Sequence, residues 1–259
     1  MPSITTLVLP VAGLGTRLKP LTDFVPKALV CLHHKPLLEY ILEETLETAI
    51  KKVILVVSPE HFDHFQNYLA QNAIKFPHIH FETRVQEKQL GNGHALVQVR
   101  DLIAGQSFIV RYTDDPIIVT PSPTASLIDI FERFQAPVLL LKRIPKEMMS
   151  RFGMIRGEQI EPRVHRISHI IEKPKQEEIN SNIGIIGGYV VTPPLLKTLE
   201  ELSHAMETKN DALPLTNAFI AECAKKNPVY GFEFEGAHLD CGTLETFYQA
   251  EHYMKIYSF

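Results

Sequence analysis

Hydrophobic and polar positions along this chain fall into two alternating rhythms. Short continuous apolar runs, as expected of strands covered on both faces, occupy residues 6–11, 53–57, 107–112 and 138–142, with a further strand at 78–83. Between them apolar residues return at helical spacing. Leu37, Leu38, Ile41, Leu42, Leu46 and Ala49 predict a helix over 36–50. Pro59 suits the first turn of another over 59–73, and helices follow at 93–103 and 125–134. The second half is richer in strand, with 164–172, 183–191 and 229–235 set among helices at 193–202, 213–224 and 244–256. This alternation predicts βαβ units, and so an α/β fold with a Rossmann-like, mostly parallel central sheet flanked by helices. No internal repeat divides the 259 residues, and one domain is the expectation.

Composition narrows the class. Apolar residues make up 45% of the chain, enough for a sizeable core. A net charge of −4 argues against a general nucleic-acid binder, which needs a basic surface, yet leaves room for a small anion in a local pocket. Cys31, Cys223 and Cys241 are too scattered for a disulfide framework or a CxxC zinc site, and fit a reducing, cytoplasmic setting. Met1-Pro2-Ser3-Ile4 lacks a basic leader, and Pro10 and Gly13 interrupt the apolar run behind it. No stretch reaches the roughly 18 apolar residues of a membrane helix, so no membrane association is expected.

Candidate chemistry begins where the first strand ends. Residues 6–20 read TLVLPVAGLGTRLKP. Gly13 and Gly15 let the backbone turn tightly and approach a ligand without a Cβ in the way, so that successive N–H groups can face phosphate oxygens. Arg17 adds a planar, always-charged donor fork, and Lys19 and Lys27 add further positive charge. A dinucleotide fingerprint would place glycine at Leu18, and the GxxxxGK[ST] phosphate loop is absent. Taken alone, GxG is also compatible with a plain strand-to-loop turn.

Further motifs extend the pattern. They are AGLGTRLKPLTDFVPKALV from Ala12; Gln86 with Gly91-Asn92-Gly93-His94-Ala95; Phe152-Gly153-Met154-Ile155; Ile171-Glu172-Lys173-Pro174-Lys175; residues 181–187; and Asp240-Cys241-Gly242-Thr243. In this order, over about residues 5–250, the sequence resembles the sugar-nucleotide pyrophosphorylases, nucleotidyltransferases acting on sugar 1-phosphates, and most of all their bacterial UTP–glucose-1-phosphate uridylyltransferase branch. The resemblance implies formation of UDP-glucose and pyrophosphate from UTP and glucose 1-phosphate. It implies a nucleotide half at about 1–135 and a sugar-phosphate half at about 136–259. Arg17, Lys27 and Lys173 would be catalytic; Ala12, Gly13, Gly15, Thr16, Gln86, Gly91, Gly153, Glu172 and Asn182 would bind substrate. Asp114 and Asp240 would hold Mg2+, a hard cation that takes one or two carboxylates and completes its shell with water and phosphate. Asp115 is the less suited of the adjacent acids, and His94 reads as structural in a chain with twelve histidines. A homo-oligomer is compatible with the family.

Three positions depart from the family pattern. Tyr112-Thr113 precedes the acidic pair in place of a Leu-Pro lead, Ala28 follows Lys27 in place of glutamate, and Pro214-Leu215-Thr216-Asn217 replaces Gln-Leu-Thr-Asp. These leave as alternatives a dTTP-dependent or other sugar-1-phosphate nucleotidyltransferase and a catalytically silent paralogue that binds sugar nucleotides. A dinucleotide-dependent oxidoreductase is disfavoured by Leu18.

Overall fold

The computed structural model describes residues 3–103, 105–178, 181–207 and 211–257; Met1-Pro2, read above for a leader, lies outside them. Its centre is a nine-stranded sheet. In chain order the strands are β1 (Thr6–Pro10), β2 (Lys52–Val57), β3 (His80–Val85), β4 (Phe108–Arg111), β5 (Val138–Arg143), β6 (Gly153–Glu161), β7 (Val164–Glu172), β8 (Ile183–Val191) and β9 (Tyr230–Glu233). The helices are α1 (Leu37–Glu43), α2 (Phe62–Asn72), α3 (Gly91–Val97), α4 (Pro123–Phe134), α5 (Pro193–Glu207), α6 (Thr216–Ala224) and α7 (Leu244–Tyr257).

Spatial order is β3-β2-β1-β4-β8-β5-β9-β7-β6. The first four strands are parallel, in the order of a dinucleotide-fold half-sheet. Beyond β4 the sheet becomes mixed. β8 runs antiparallel to both β4 and β5, β9 is parallel to β5, and the β6–β7 hairpin is antiparallel. Parallel pairing therefore dominates the first half, and the strand-rich second half adds reversals.

Alternation along each parallel strand feeds two cores. Leu7, Leu9, Val53, Leu55, Val57 and Ile109 face one side, against Leu38, Ile41, Phe65 and Leu127 of α1, α2 and α4. Val8, Ile54, Val56, Phe108 and Val110 face the other, against Leu96 of α3, Leu195 and Leu199 of α5 and Phe219 of α6. Each fully buried Val, Leu or Ile contributes about 1.5–3 kcal/mol, which makes an unbroken apolar run the natural sequence for such a strand. A third cluster joins Leu18, Leu37 and Tyr40 to Leu239, Cys241 and Phe247, clamping the glycine loop onto the segment that carries Asp240.

Several predicted elements change their bounds. The helix expected over 36–50 stops at Glu43 and tightens into a 3-10 turn at Glu44–Glu47. That change turns Glu44 inward to a buried ion pair with Arg111. Arg111 is fully buried; its Nε and Nη2 donate to the two Glu44 oxygens at 3.1 and 2.9 Å, and Nη1 donates to the Gly187 carbonyl at 2.7 Å. Glu44 also accepts from the Thr124 backbone N–H at 3.2 Å and from its hydroxyl. The pair thus ties α1, α4, β4 and β8 together next to the turn at Asp114. The helix expected over 93–103 begins earlier, at Gly91, and breaks after Val97 before a single turn at Arg100–Ile103. β6, which sequence reading missed, has five consecutive exposed residues from Arg156 to Ile160 and so no apolar run.

Candidate active site

Gly13, Gln86 and Asp114 follow the carboxyl ends of β1, β3 and β4, three parallel strands of one sheet, and so lie along the same edge. This is where open α/β sheets bind ligands. A cavity of about 230 Å³ opens there, lined by Pro10, Val11, Gly13, Gly15, Thr16, Arg17, Lys27, Ala28, Thr113, Asp114 and Gly242. Gly15 takes φ +65°, where a Cβ would stand 3.0 Å from Thr22 Cγ2 and 3.1 Å from Lys27 Cβ, so glycine is needed for the turn itself. Gly13 has nothing within 4 Å of where its Cβ would be. Its bareness serves the cavity and not the packing. Ala12 is buried behind the loop, while Thr16 and Arg17 are exposed at its mouth.

The acids stand opposite. Asp114 Oδ2 meets the Lys27 ammonium in a close ion pair. The Asp114 carbonyl accepts from Cys241 N–H at 2.8 Å, which fixes Asp240 beside it in the fold although 126 positions apart by number. Asp240 Oδ1 accepts from Gly242 N–H at 2.7 Å, and Oδ2 lies 3.4 Å from Arg151 Nη2. The missing Cβ of Gly242 would sit 2.8 Å from Asp240 Oδ1 and 4.0 Å from an Arg17 guanidinium nitrogen, so the second acid borders the cradle. Asp115 is engaged elsewhere, 2.9 Å from His238 Nε2. Beneath the acids the Cys241 thiol is pushed far above its usual range by burial and then by Asp114, Asp115 and Asp240. No cluster of three metal-ligating side chains occurs among the described residues. Two carboxylates, one lining the cavity and one bonded to its wall, suit a hard cation that completes its shell with other oxygens, and do not suit zinc.

Gly153, Glu172 and Asn182 gather away from this cavity. Glu172 pairs with Gly153 at the base of the β6–β7 hairpin, and a register shift between Ile167 and His169 helps to bend it. The bend brings Met154 against Gly184, at the start of β8 beside Asn182. Glu172 Oε2 is buried without a hydrogen-bond partner among the described residues, and it would lie 2.9 Å from a Cβ on Gly153. Such an oxygen costs free energy until something donates to it. Lys173 follows at φ +45°, exposed, immediately before Pro174. Asn182 is exposed; its carbonyl accepts from Ile144 N–H at 2.8 Å.

Gln86 and Gly91 meet at the start of α3. Gln86 is buried, and its Nε2 lies 3.1 Å from the Gly91 carbonyl and 2.9 Å from His94 Nδ1. Gly91 takes φ +92°, and a Cβ there would fall 2.6 Å from the Leu213 carbonyl, which accepts from Gly93 N–H at 2.9 Å. The glycines let the 213–215 segment press onto α3. Gly91→Ala is accordingly expected to lower stability by about 2 kcal/mol, read from the denaturant midpoint. An unchanged midpoint would contradict the close approach.

The sequence pattern of the Nucleotidyl transferase family matches residues 6–255. The chain belongs to that family. A UTP–glucose-1-phosphate uridylyltransferase of Pseudomonas aeruginosa PAO1 is 27% identical over 96% of this nucleotidyl transferase and 95% of its own length. One from Staphylococcus epidermidis RP62A is 30% identical, over 93% and 89% respectively. Among solved structures, a UDP-glucose pyrophosphorylase complexed with UDP-glucose superposes with a TM-score of 0.85 at 27% identity, covering 98% of this chain and 99% of that one.

Sequence reading of the nucleotidyl transferase left two residues unnoticed. Arg151, two positions before Gly153, reaches Asp240 and so links the two groups of site residues. Arg111 lies in an apolar strand and was hidden by it. The departures at Ala28 and Thr113 place small buried side chains in the cradle wall without removing Lys27 or Asp114 from it.

Proposed function

We propose that this nucleotidyl transferase forms UDP-glucose and pyrophosphate from UTP and glucose 1-phosphate in a single in-line displacement. The observation that carries the reading is the convergence of Gly13, Gly15, Arg17, Lys27 and Asp114 on one cavity at the carboxyl edge of the sheet, with Asp240 bonded to its wall at Gly242 N–H. The uridylyltransferase names of its relatives supply the substrates. A phosphate oxygen of glucose 1-phosphate attacks the α-phosphorus of UTP; the new P–O bond forms as the bond to the β-phosphate bridging oxygen breaks, and pyrophosphate carries away that electron pair. Both reactants are anions, so alignment and charge neutralisation provide the catalysis.

In this reading Ala12, Gly13, Gly15 and Thr16 hold the triphosphate, and Arg17 and Lys27 stabilise the departing pyrophosphate. Gln86 and Gly91 face the nucleobase. Gly153, Glu172 and Asn182 receive the sugar, with the unpaired Glu172 oxygen accepting from its hydroxyls. Lys173 holds the sugar's phosphate, and its left-handed backbone, costly for lysine, is tolerated because it aims that charge. Asp114 and Asp240 would hold Mg2+, which when bound neutralises phosphate charge. One domain, with a nucleotide half and a sugar half sharing the sheet, operates in the cytoplasm; the three free thiols fit a reducing compartment.

The test is pyrophosphate release across UTP, dTTP and other nucleotides with several sugar 1-phosphates, with and without Mg2+. No release with any pair would overturn the reading. Lys173→Ala is expected to raise KM for glucose 1-phosphate by about tenfold or more, the worth of a charged hydrogen bond, with KM for UTP unchanged. An effect confined to UTP would remove Lys173 from the sugar end.

A further inference from the structure

We propose that His94 is a positioning residue that locks the Gln86 amide so that the site selects bases carrying a ring N–H, as uracil and thymine do, and rejects cytosine. The inference rests on the reading that Gln86 faces the nucleobase.

A carbonyl oxygen only accepts, so the Gln86 atom 3.1 Å from the Gly91 carbonyl must be the amide nitrogen, as placed. That nitrogen has a second hydrogen, and His94 Nδ1 lies 2.9 Å from it. For this contact to be a hydrogen bond, Nδ1 must be the bare ring nitrogen, and the neutral ring then carries its proton on Nε2. The Gln98 amide nitrogen stands 3.1 Å from Nε2. With Nε2 protonated, that amide turns its oxygen toward the ring. Gln98, His94 and Gln86 therefore form a relay with one consistent polarity, anchored by the Gly91 carbonyl. Both amide hydrogens of Gln86 are committed, no described side chain or backbone group donates to its Oε1, and that oxygen is not sealed from its surroundings.

The end of Gln86 left for a ligand is thus an acceptor. Uracil and thymine offer an N3–H to it. Cytosine offers a bare N3, so two lone pairs would face each other where a hydrogen bond should form. A freely rotating glutamine would turn over and bind cytosine nearly as well, because a side-chain amide presents a donor or an acceptor for the same contact. The fixed amide is what makes the residue selective. Sites that leave a polar group unpaired against the wrong substrate discriminate far better than sites that differ in shape alone. The extra methyl of thymine lies outside this device, so His94 is not expected to separate UTP from dTTP.

The test compares kcat/KM for UTP and CTP, with glucose 1-phosphate, in four enzymes. Wild type is expected to favour UTP strongly. His94→Leu removes the acceptor and is expected to lower the UTP:CTP ratio by about tenfold or more, the scale of one misoriented hydrogen bond. His94→Asn keeps an acceptor near the place of Nδ1 and should hold the ratio within about threefold of wild type. Gln98→Leu frees the ring to change tautomer and should lower the ratio in the same direction, which decides the matter if His94→Leu does not fold. A UTP:CTP ratio unmoved in the folded variants overturns the relay. Wild type that releases no pyrophosphate from UTP overturns the underlying function instead, so the two failures are distinguishable.

Discussion

Asp114→Ala is expected to reduce turnover by roughly a thousandfold, the several kcal/mol of charge stabilisation that a metal supplies at a transferring phosphoryl group. The fold should survive. Asp114 is only partly buried, its side chain pairs with Lys27 near the cavity, and the bond that fixes the Asp240 segment is made by the Asp114 backbone carbonyl. A partly exposed ion pair contributes little to stability, so the thermal midpoint should move by no more than a few degrees. The measurement is pyrophosphate release at saturating Mg2+, with circular dichroism and thermal melting as the check on folding. Near-normal turnover in the folded variant would take Asp114 out of the metal site. Asp115→Ala is the informative contrast, because Asp115 is already occupied by His238. It should cost far less than Asp114→Ala.

The largest effect on stability should come from Arg111→Met. The guanidinium is fully enclosed, and its removal leaves the Glu44 carboxylate charged and buried, with Thr124 its one remaining donor among the described residues. Breaking one side of such a pair costs about 3–5 kcal/mol, a large share of the whole stability of a domain. Urea unfolding measures the loss. The double variant Arg111→Met with Glu44→Leu should recover much of it, since an apolar replacement of both partners leaves no stranded charge. A single variant that loses less than about 1 kcal/mol would mean that Glu44 escapes to water or takes up a proton at no cost. Arg111 also donates to the Gly187 carbonyl and approaches the Asp115 carbonyl at 3.4 Å, so the surviving fold should hold the Asp114 turn less firmly.

Much of the fold was legible in the chain because its first half is built from local signals. Central parallel strands are covered on both faces, so 6–11, 53–57 and 107–112 had to be continuous apolar runs, and a run of that kind can be seen without its neighbours. Glycine at 13 and 15 with the charges at Arg17 and Lys27 likewise raised a phosphate loop as a candidate, and the fold gathers all four at one cavity. What escaped was whatever depends on the neighbour. β6 carries exposed residues because its outer part lies at the sheet's edge, so it offered no apolar run. Glu44 falls within the helix expected over 36–50, and only the tightened turn carries it to Arg111.

By itself, the sequence determined the α/β class and, through its motifs in order, the family. Only the tertiary structure decided which of the acids lines the cavity and which do not. Asp114 and Asp115 are adjacent and chemically identical, yet the first meets Lys27 while the second is taken by His238. The turn that follows β4 sends the neighbours to different partners, and those partners come from segments far away in the chain. Gly91 carries the same lesson. Its missing side chain is plain in the sequence, and only the fold brings the Leu213 carbonyl against it. A bare backbone is visible in a sequence; what approaches it is settled only when the chain has packed.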